Sequence, residues 1–307
     1  MATALVSATG ADPADDLRRG DTLALRWRTG FDKSMGYLLP LLFLVALIPI
    51  IDLVWYISSQ AIPTLSWQVL TSYGNYQSQD ALGVPIVTTF LFVTLATTIA
   101  VCIGLFGGIA TAEFLSDQTA AWVRTSANLL AGMPSVIVGY FGYFLFCLYF
   151  GWGLSFVAGV FTLSFFMCPY VFRTADLAFT SVPRHIREAA YGSGTKPVQY
   201  ILKVGTPIAF PQILTGVFLA MAIGVGETAP IILTVSPSVL VPTGLLSPAT
   251  YLTYLIYTGW ENAATSHLAL VIAYQAAFII IVTVLALNVV VRVVAAWYRK
   301  RLAGLYQ

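Results

Sequence analysis

Apolar residues run through this chain in long unbroken blocks. They do not follow the three-and-four spacing of a half-buried helix or the alternation of a half-buried strand. Blocks of this length exceed the roughly 20 residues a helix needs to cross a hydrocarbon core about 30 Å thick. The pattern predicts six transmembrane helices, over Gly36–Ile57, Pro85–Ala112, Ser126–Phe150, Leu154–Phe172, Pro207–Val235 and His267–Ala295. The period-2 alternation of a membrane β-barrel is absent, so the predicted fold class is all-α integral membrane. Polar residues divide the chain further. Residues 1–33 carry Asp12, Asp15, Asp16 and several arginines without the short apolar region and cleavage site of a signal peptide, and read as a flexible cytoplasmic tail. Residues 34–60 form a first transmembrane anchor helix, 83–297 the remaining membrane core, and 298–307 a basic cytoplasmic C-terminus.

Composition supports this parse. The 307 residues are 58% hydrophobic and 9% charged, against about a quarter charged in a soluble domain. All fifteen Lys and Arg fall on one side of the predicted topology: five precede the first span, Arg124 lies between the second and third, five lie in 173–203, and four close the chain. Basic residues are retained on the cytoplasmic side, so both termini are expected there. That bias also accounts for the net charge of +2, leaving no signal for nucleic acid. Cys102, Cys147 and Cys168 all lie inside predicted spans without ligand-like spacing, which argues against a disulfide or a metal site. No internal repeat is visible between the two halves, which weighs against the repeat-built secondary transporters.

The longest cytoplasmic connection is ADLAFTSVPRHIREAAYGSGTKPVQYILKVGTP, Ala175 to Pro207. Pro183 suits the first turn of a short helix whose Ile186, Ala189 and Ala190 share a face, and Gly192 and Gly194 stop it. A second helical start after Pro197 aligns Val198, Ile201 and Leu202, and Gly205 with Pro207 is expected to end that segment before the fifth span. Small residues at such a corner let it enter a cleft of another protein. Arg184, Arg187, Glu188, Lys196 and Lys203 are left for the rim. The alternative is an amphipathic segment lying on anionic lipid.

Glu188-Ala189-Ala190, three residues, Gly194, nine residues, then Val204, Gly205, Thr206 and Pro207 resembles the EAA loop of ABC importer permeases, with Val and Thr in place of its Ile and Leu. Two further stretches resemble the permease subunits of phosphate ABC importers of the PstA type. They are Gly132-Met133-Pro134-Ser135 with Gly139, a G-x-P-S-x-x-x-G pattern, and Gly226-Glu227-Thr228-Ala229-Pro230, a GETAP segment. Pro169, Arg173 and Val182-Pro183 also match. The resemblance runs from about Gly83 to the last span. It implies the type I ABC importer permease fold, with a coupling loop at 181–207 whose Arg187, Glu188, Ala189, Ala190 and Gly194 dock on a separate ATPase subunit dimer. It further implies a second, PstC-type permease as heterodimer partner, an external phosphate-binding protein, phosphate as the transported species, and residence in a bacterial or archaeal plasma membrane.

The candidate path residues are Glu227, Thr228 and Arg173. A continuous helix from Pro207 would carry Glu227 about 30 Å along its axis, past the membrane midplane. An ionised carboxylate at that depth is costly unless it faces protein or water, so it reads as functional or as a hydrogen-bonded lock between helices. Its sign opposes attraction of phosphate, which fits a role in orienting an arginine or keeping the anion from dwelling. Thr228 can donate a hydroxyl to an anion, or bond its own helix backbone. Arg173 can bind substrate or snorkel to lipid phosphates. The family's arginine four residues before the glutamate is Ile223 here, so a compensating cation would come from a second subunit. Glu113 and Asp117 are expected to be solvated, and His185 and His267 have no metal-ligand partner. Gly192-Ser193-Gly194-Thr195-Lys196-Pro197 lacks the G-x-x-x-x-G-K-[ST] arrangement of a phosphate-cradling loop. ATP and magnesium would therefore belong to the partner, and this chain is expected to carry no cofactor and no catalytic residue. The rival readings are a permease for sulfate or molybdate, and a proton-coupled secondary transporter using Glu227 as its relay.

Overall fold

The structure is a computed structural model that describes residues 13–73, 82–238 and 240–303. Every regular element among the described residues is helical. The chain divides into two units, residues 1–56 and 57–307.

The first unit is the greater part of α1, Pro13–Ala61; the candidate span Ser34–Thr64 begins in α1 and ends in the 3-10 turn Ile62–Thr64 that follows it. Residues 13–33, which their polarity marks as a flexible tail, are therefore helical and continuous with the span; residues 1–12 lie outside the described residues. Pro13 begins the helix, where its missing N–H is harmless. Once the apolar stretch has nucleated a helix, each added residue costs little.

In the second unit a short helix α2, Trp67–Thr71, precedes α3, Gly83–Glu113. The next span is broken. The hydropathy pattern predicts one helix over Ser126–Phe150, whereas the structure has α4, Asp117–Ala131, and α5, Ser135–Gly142, meeting at 96°. Pro134 causes this, because its ring disfavours helical geometry at Met133 and it brings no N–H to continue the ladder. A π-helical turn, Tyr143–Tyr149, continues α5. Then α6 runs over Phe156–Thr180, eight residues past the expected end.

The connection after α6 forms α7, Arg184–Gly192, and α8, Pro197–Tyr200. Here the structure corrects a second expectation. Gly205 and Pro207 do not separate the connection from the fifth span; a π-helical turn over Ile201–Gly205 joins α8 directly to α9, Thr206–Gly226, giving one span-length unit Pro197–Gly226. Pro207 sits in the first turn of α9, where it needs no partner for an N–H. The span also stops earlier than expected, at Gly226, and a short α10, Ala229–Ile232, follows. Helices α11, Leu252–Glu261, and α12, His267–Ala303, complete the chain, and they pack together through Leu252, Leu255, Ile272 and Ala276.

The core forms where α3, α5, α6, α9 and α10 converge, on Phe92, Val138, Leu163, Met167, Ala220 and Ile231. Helices α3 and α6 approach closely because Gly108 is small: a Cβ there would lie 2.6 Å from Phe172 O and from Ala175 Cβ. Close backbone approach of this kind is how membrane helices gain packing without a hydrophobic driving force between them. The start of α6 has its free N–H groups satisfied by a distant loop. Ser155 N donates to Thr234 O at 3.0 Å, Phe156 N to Ser247 O at 2.8 Å and Val157 N to Leu245 O at 2.8 Å. Thr234, Leu245 and Ser247 are thereby held over that helix end.

Candidate translocation site and coupling surface

Glu227 owes its position to a helix end. Gly224 and Gly226 weaken the last turn of α9, and Glu227 itself is extended, with φ −75° and ψ 134°. The helix is continuous from Thr206 to Gly226, so Glu227 stands about 30 Å beyond Pro207, at the point where the rod stops. Its N–H donates to Gly224 O at 3.3 Å, and its carbonyl accepts from Thr253 Oγ1 of α11 at 3.0 Å. Thr228 then opens α10, its carbonyl accepting from the N–H groups of Ile231 and Ile232 at 3.2 and 2.9 Å.

Opposite lies the other broken helix. Ser135, the first residue of α5 beyond Pro134, lies close to the half-buried Glu227 carboxylate. One turn later a Cβ on Gly139 would stand 2.8 Å from Ala229 O and 3.2 Å from Pro230 Cα, so α5 and α10 lie backbone against backbone. The two short sequence patterns, whose prolines Pro134 and Pro230 are 96 residues apart, are thus one structural unit. Interrupted helices at membrane depth are tolerated only where protein or a water-filled cavity surrounds them, and such places are where transporters hold their cargo.

The structure does not bring Arg173 to this unit. Gly224 rests on Met167 of α6, and Arg173 is six residues farther along that helix, about 9 Å toward its C-terminal end. Arg173 is exposed and makes no ion pair among the described residues. Ile223 packs against the apolar core. No cation of the described residues pairs with Glu227.

In the connection between α6 and α9, Glu188 and Ala189 are exposed on α7 and Ala190 is half-buried. Gly194 turns the corner with φ +82°, and nothing lies within 4 Å of where its Cβ would be. Glycine is needed there for backbone handedness rather than for space within this chain. Val198 and Leu202, 62% and 66% exposed, extend the surface with apolar side chains.

Arg187 differs from its neighbours in facing inward. It donates through Nη2 to Glu113 Oε1 at 2.8 Å and to Phe179 O at 3.3 Å, and through Nε to Tyr200 Oη at 3.3 Å. The Tyr200 hydrogen bond and the Glu113 charge hold its pKa above the ordinary arginine value against the opposing effect of burial. Glu113, expected in solvent, has a side chain only 3% exposed. A second pair joins α4 to α6, with Arg124 bidentate to Asp176 through two 2.8 Å bonds. Sequence reasoning missed Ser135, Thr253, Glu113, Asp176 and Tyr200 as site or clamp residues. Ser135 lay within a quoted pattern, and that was its signal. The ion-pair partners are 74 and 52 residues apart, beyond any local periodicity.

Comparison with known proteins defines the class. Residues 104–304 match the family described as binding-protein-dependent transport system inner membrane component, and the chain belongs to that family. Its relatives include the phosphate transport system permease protein PstA 2 of Mycobacterium bovis, 34% identical over 79% of this chain and 80% of the relative. Another is the phosphate transport system permease protein PstA of Haemophilus influenzae, 29% identical over 83% and 93%. Among solved structures, an inward-facing MetNI methionine ABC transporter chain shares the fold with a TM-score of 0.58 at 16% identity, over 70% of this chain and 94% of that one. The expected type I ABC importer permease fold is borne out.

Proposed function

We propose that this chain is a transmembrane permease subunit of an ATP-driven importer of inorganic phosphate and supplies half of the translocation path. The observation that carries the reading is the meeting of the two broken helices. Ser135 of the G-x-P-S stretch reaches Glu227 of the GETAP segment, and Gly139 lets the two backbones touch. Both stretches resemble phosphate permeases, and the relatives named for phosphate transport cover most of the chain.

In this reading Glu227, Thr228 and Ser135 line the gate of the path, and Arg173 stands at its cytoplasmic approach. The exposed corner, with Glu188, Ala189, Ala190 and Gly194, docks on the ATPase. The permease core covers 83–297, both termini are cytoplasmic, and α1 anchors the chain. A second permease of the PstC type completes the path, an ATPase dimer binds ATP and magnesium, and an external binding protein delivers phosphate. A bacterial or archaeal plasma membrane is the location that such a system requires.

The test is uptake of labelled phosphate into vesicles containing the assembled complex, with binding protein and ATP, against competing sulfate and molybdate. Phosphate uptake that neither competitor suppresses supports the reading. Preferential sulfate or molybdate uptake shifts it to that oxyanion. Uptake by the single chain driven only by a pH gradient replaces it with proton coupling.

A further inference from the structure

The coupling corner has two connections along the chain: α6 passes through Ser181, Val182 and Pro183 into α7, and α8 runs through the π-helical turn into α9. A connection to α3 must cross space. Helix α7 buries none of its residues. Among the described residues, the only side-chain hydrogen bonds from α7 to α3 or α6 are those of Arg187. Four elements therefore meet at one guanidinium: Glu113 at the end of α3, Phe179 near the end of α6, Tyr200 in α8, and Arg187 in α7. Tyr200 and Phe179 are fully buried, and the Arg187 guanidinium carbon lies 5.9 Å from the Tyr200 ring centroid.

We infer that Glu113 is the positioning residue through which displacement of the coupling corner is passed to α3, with Arg187 as an internal link rather than a docking contact. The inference rests on the permease reading for its consequence in transport. Its physical basis is the burial of the carboxylate. A carboxylate taken out of water is unfavourable unless paired, and Glu113 has one cationic partner among the described residues. When α7 moves, separation from Arg187 would strand that charge, so the end of α3 follows. Since α3 packs along α6 through the Gly108 contact, and α6 supports Gly224 through Met167, the movement has a packed route toward the Glu227 unit. The chain connections displace the ends of α6 and α9 at the same time. With the ion pair to α3, these routes from one corner would move both sides of the path together.

The experiment uses the whole reconstituted complex. Glu113→Gln keeps the shape and removes the charge. The expected result is normal recovery of the ATPase with the membrane subunits and unchanged basal ATP hydrolysis. Binding-protein-stimulated uptake should fall about tenfold, the scale of coupling between contacting residues. Glu113→Arg combined with Arg187→Glu should recover uptake that either single reversal abolishes. A second readout does not depend on which anion is carried. In a background without Cys102, Cys147 and Cys168, spin labels replace exposed His185 on α7 and Phe106 on α3, the latter 70% exposed. Their separation should stay fixed on addition of ATP in the parent chain and change in Glu113→Gln. Unaltered uptake in Glu113→Gln, or a label separation that ATP affects equally with and without the charge, overturns the inference. A fixed separation in a complex that transports no phosphate counts against the phosphate reading alone.

Discussion

At the scale of single residues, Glu227 and Gly194 owe their positions to different causes. Glu227 follows a helix end, and its backbone is held by Thr253 and Gly224 while its carboxylate faces Ser135. Replacement by Gln leaves these backbone bonds intact and removes only the charge. We expect Glu227→Gln to lower phosphate uptake by about tenfold or more with unchanged complex yield, and Glu227→Asp to retain part of the activity, as for an interaction realised only during transport. Normal uptake by the Gln variant would make the residue a helix lock. Gly194 answers to handedness, since its φ is +82° and its surroundings within this chain are open. A side chain there adds about 1–2 kcal/mol of backbone strain, least for Asn. Gly194→Asn is therefore expected to keep most ATPase co-purification and uptake, and Gly194→Val to lose both. Equal loss in the two variants would point to a partner surface that admits no side chain.

At the scale of elements, hydropathy located each span and misjudged how spans are interrupted. The six blocks of apolar sequence correspond to five candidate spans and one bent pair. Length and composition decide whether a segment can cross, but whether it stays straight depends on a few local groups. Pro134 was visible in the sequence, and Gly132 and Met133 before it mark the break; an apolar block read only for its mean conceals them. At 201–207 the same reasoning erred the other way, because Gly205 and Pro207 signal a stop that the membrane-length helix runs through. The contact between α5 and α10 was illegible, since it joins two segments that no period relates. It makes a direct prediction: Gly139→Leu should push these backbones apart and cost about 1–3 kcal/mol. A lower melting temperature of the purified complex, together with reduced uptake, would register it, and a neutral Leu would show that the contact yields easily.

At the scale of the whole molecule, the charge distribution read from sequence predicts an orientation and leaves pairing open. Arg124 and Arg187 counted equally toward the cytoplasmic bias, yet each is tied to one acid on another helix. Asp176, 5% exposed, is the acid that hydropathy alone would least expect. Since Arg124 is 38% exposed in its side chain, water can take over part of what it loses, and Asp176→Ala is expected to cost about 1–3 kcal/mol. Replacing both by apolar residues, Arg124→Met with Asp176→Leu, should cost less than the single change, as melting of the complex would show. The bulged turn Ile201–Gly205 has a further consequence at this scale. A π-turn holds one residue more than an α-helical path, and each residue is worth about 100° of rotation about the axis. That surplus sets the azimuth of the exposed corner relative to the face that α9 turns inward. Losing one residue there would leave an unbroken span of nearly the same length with its two ends wrongly aimed at each other, so the exposed Leu202 and Lys203 tolerate changes of side chain far better than the stretch tolerates changes in residue count.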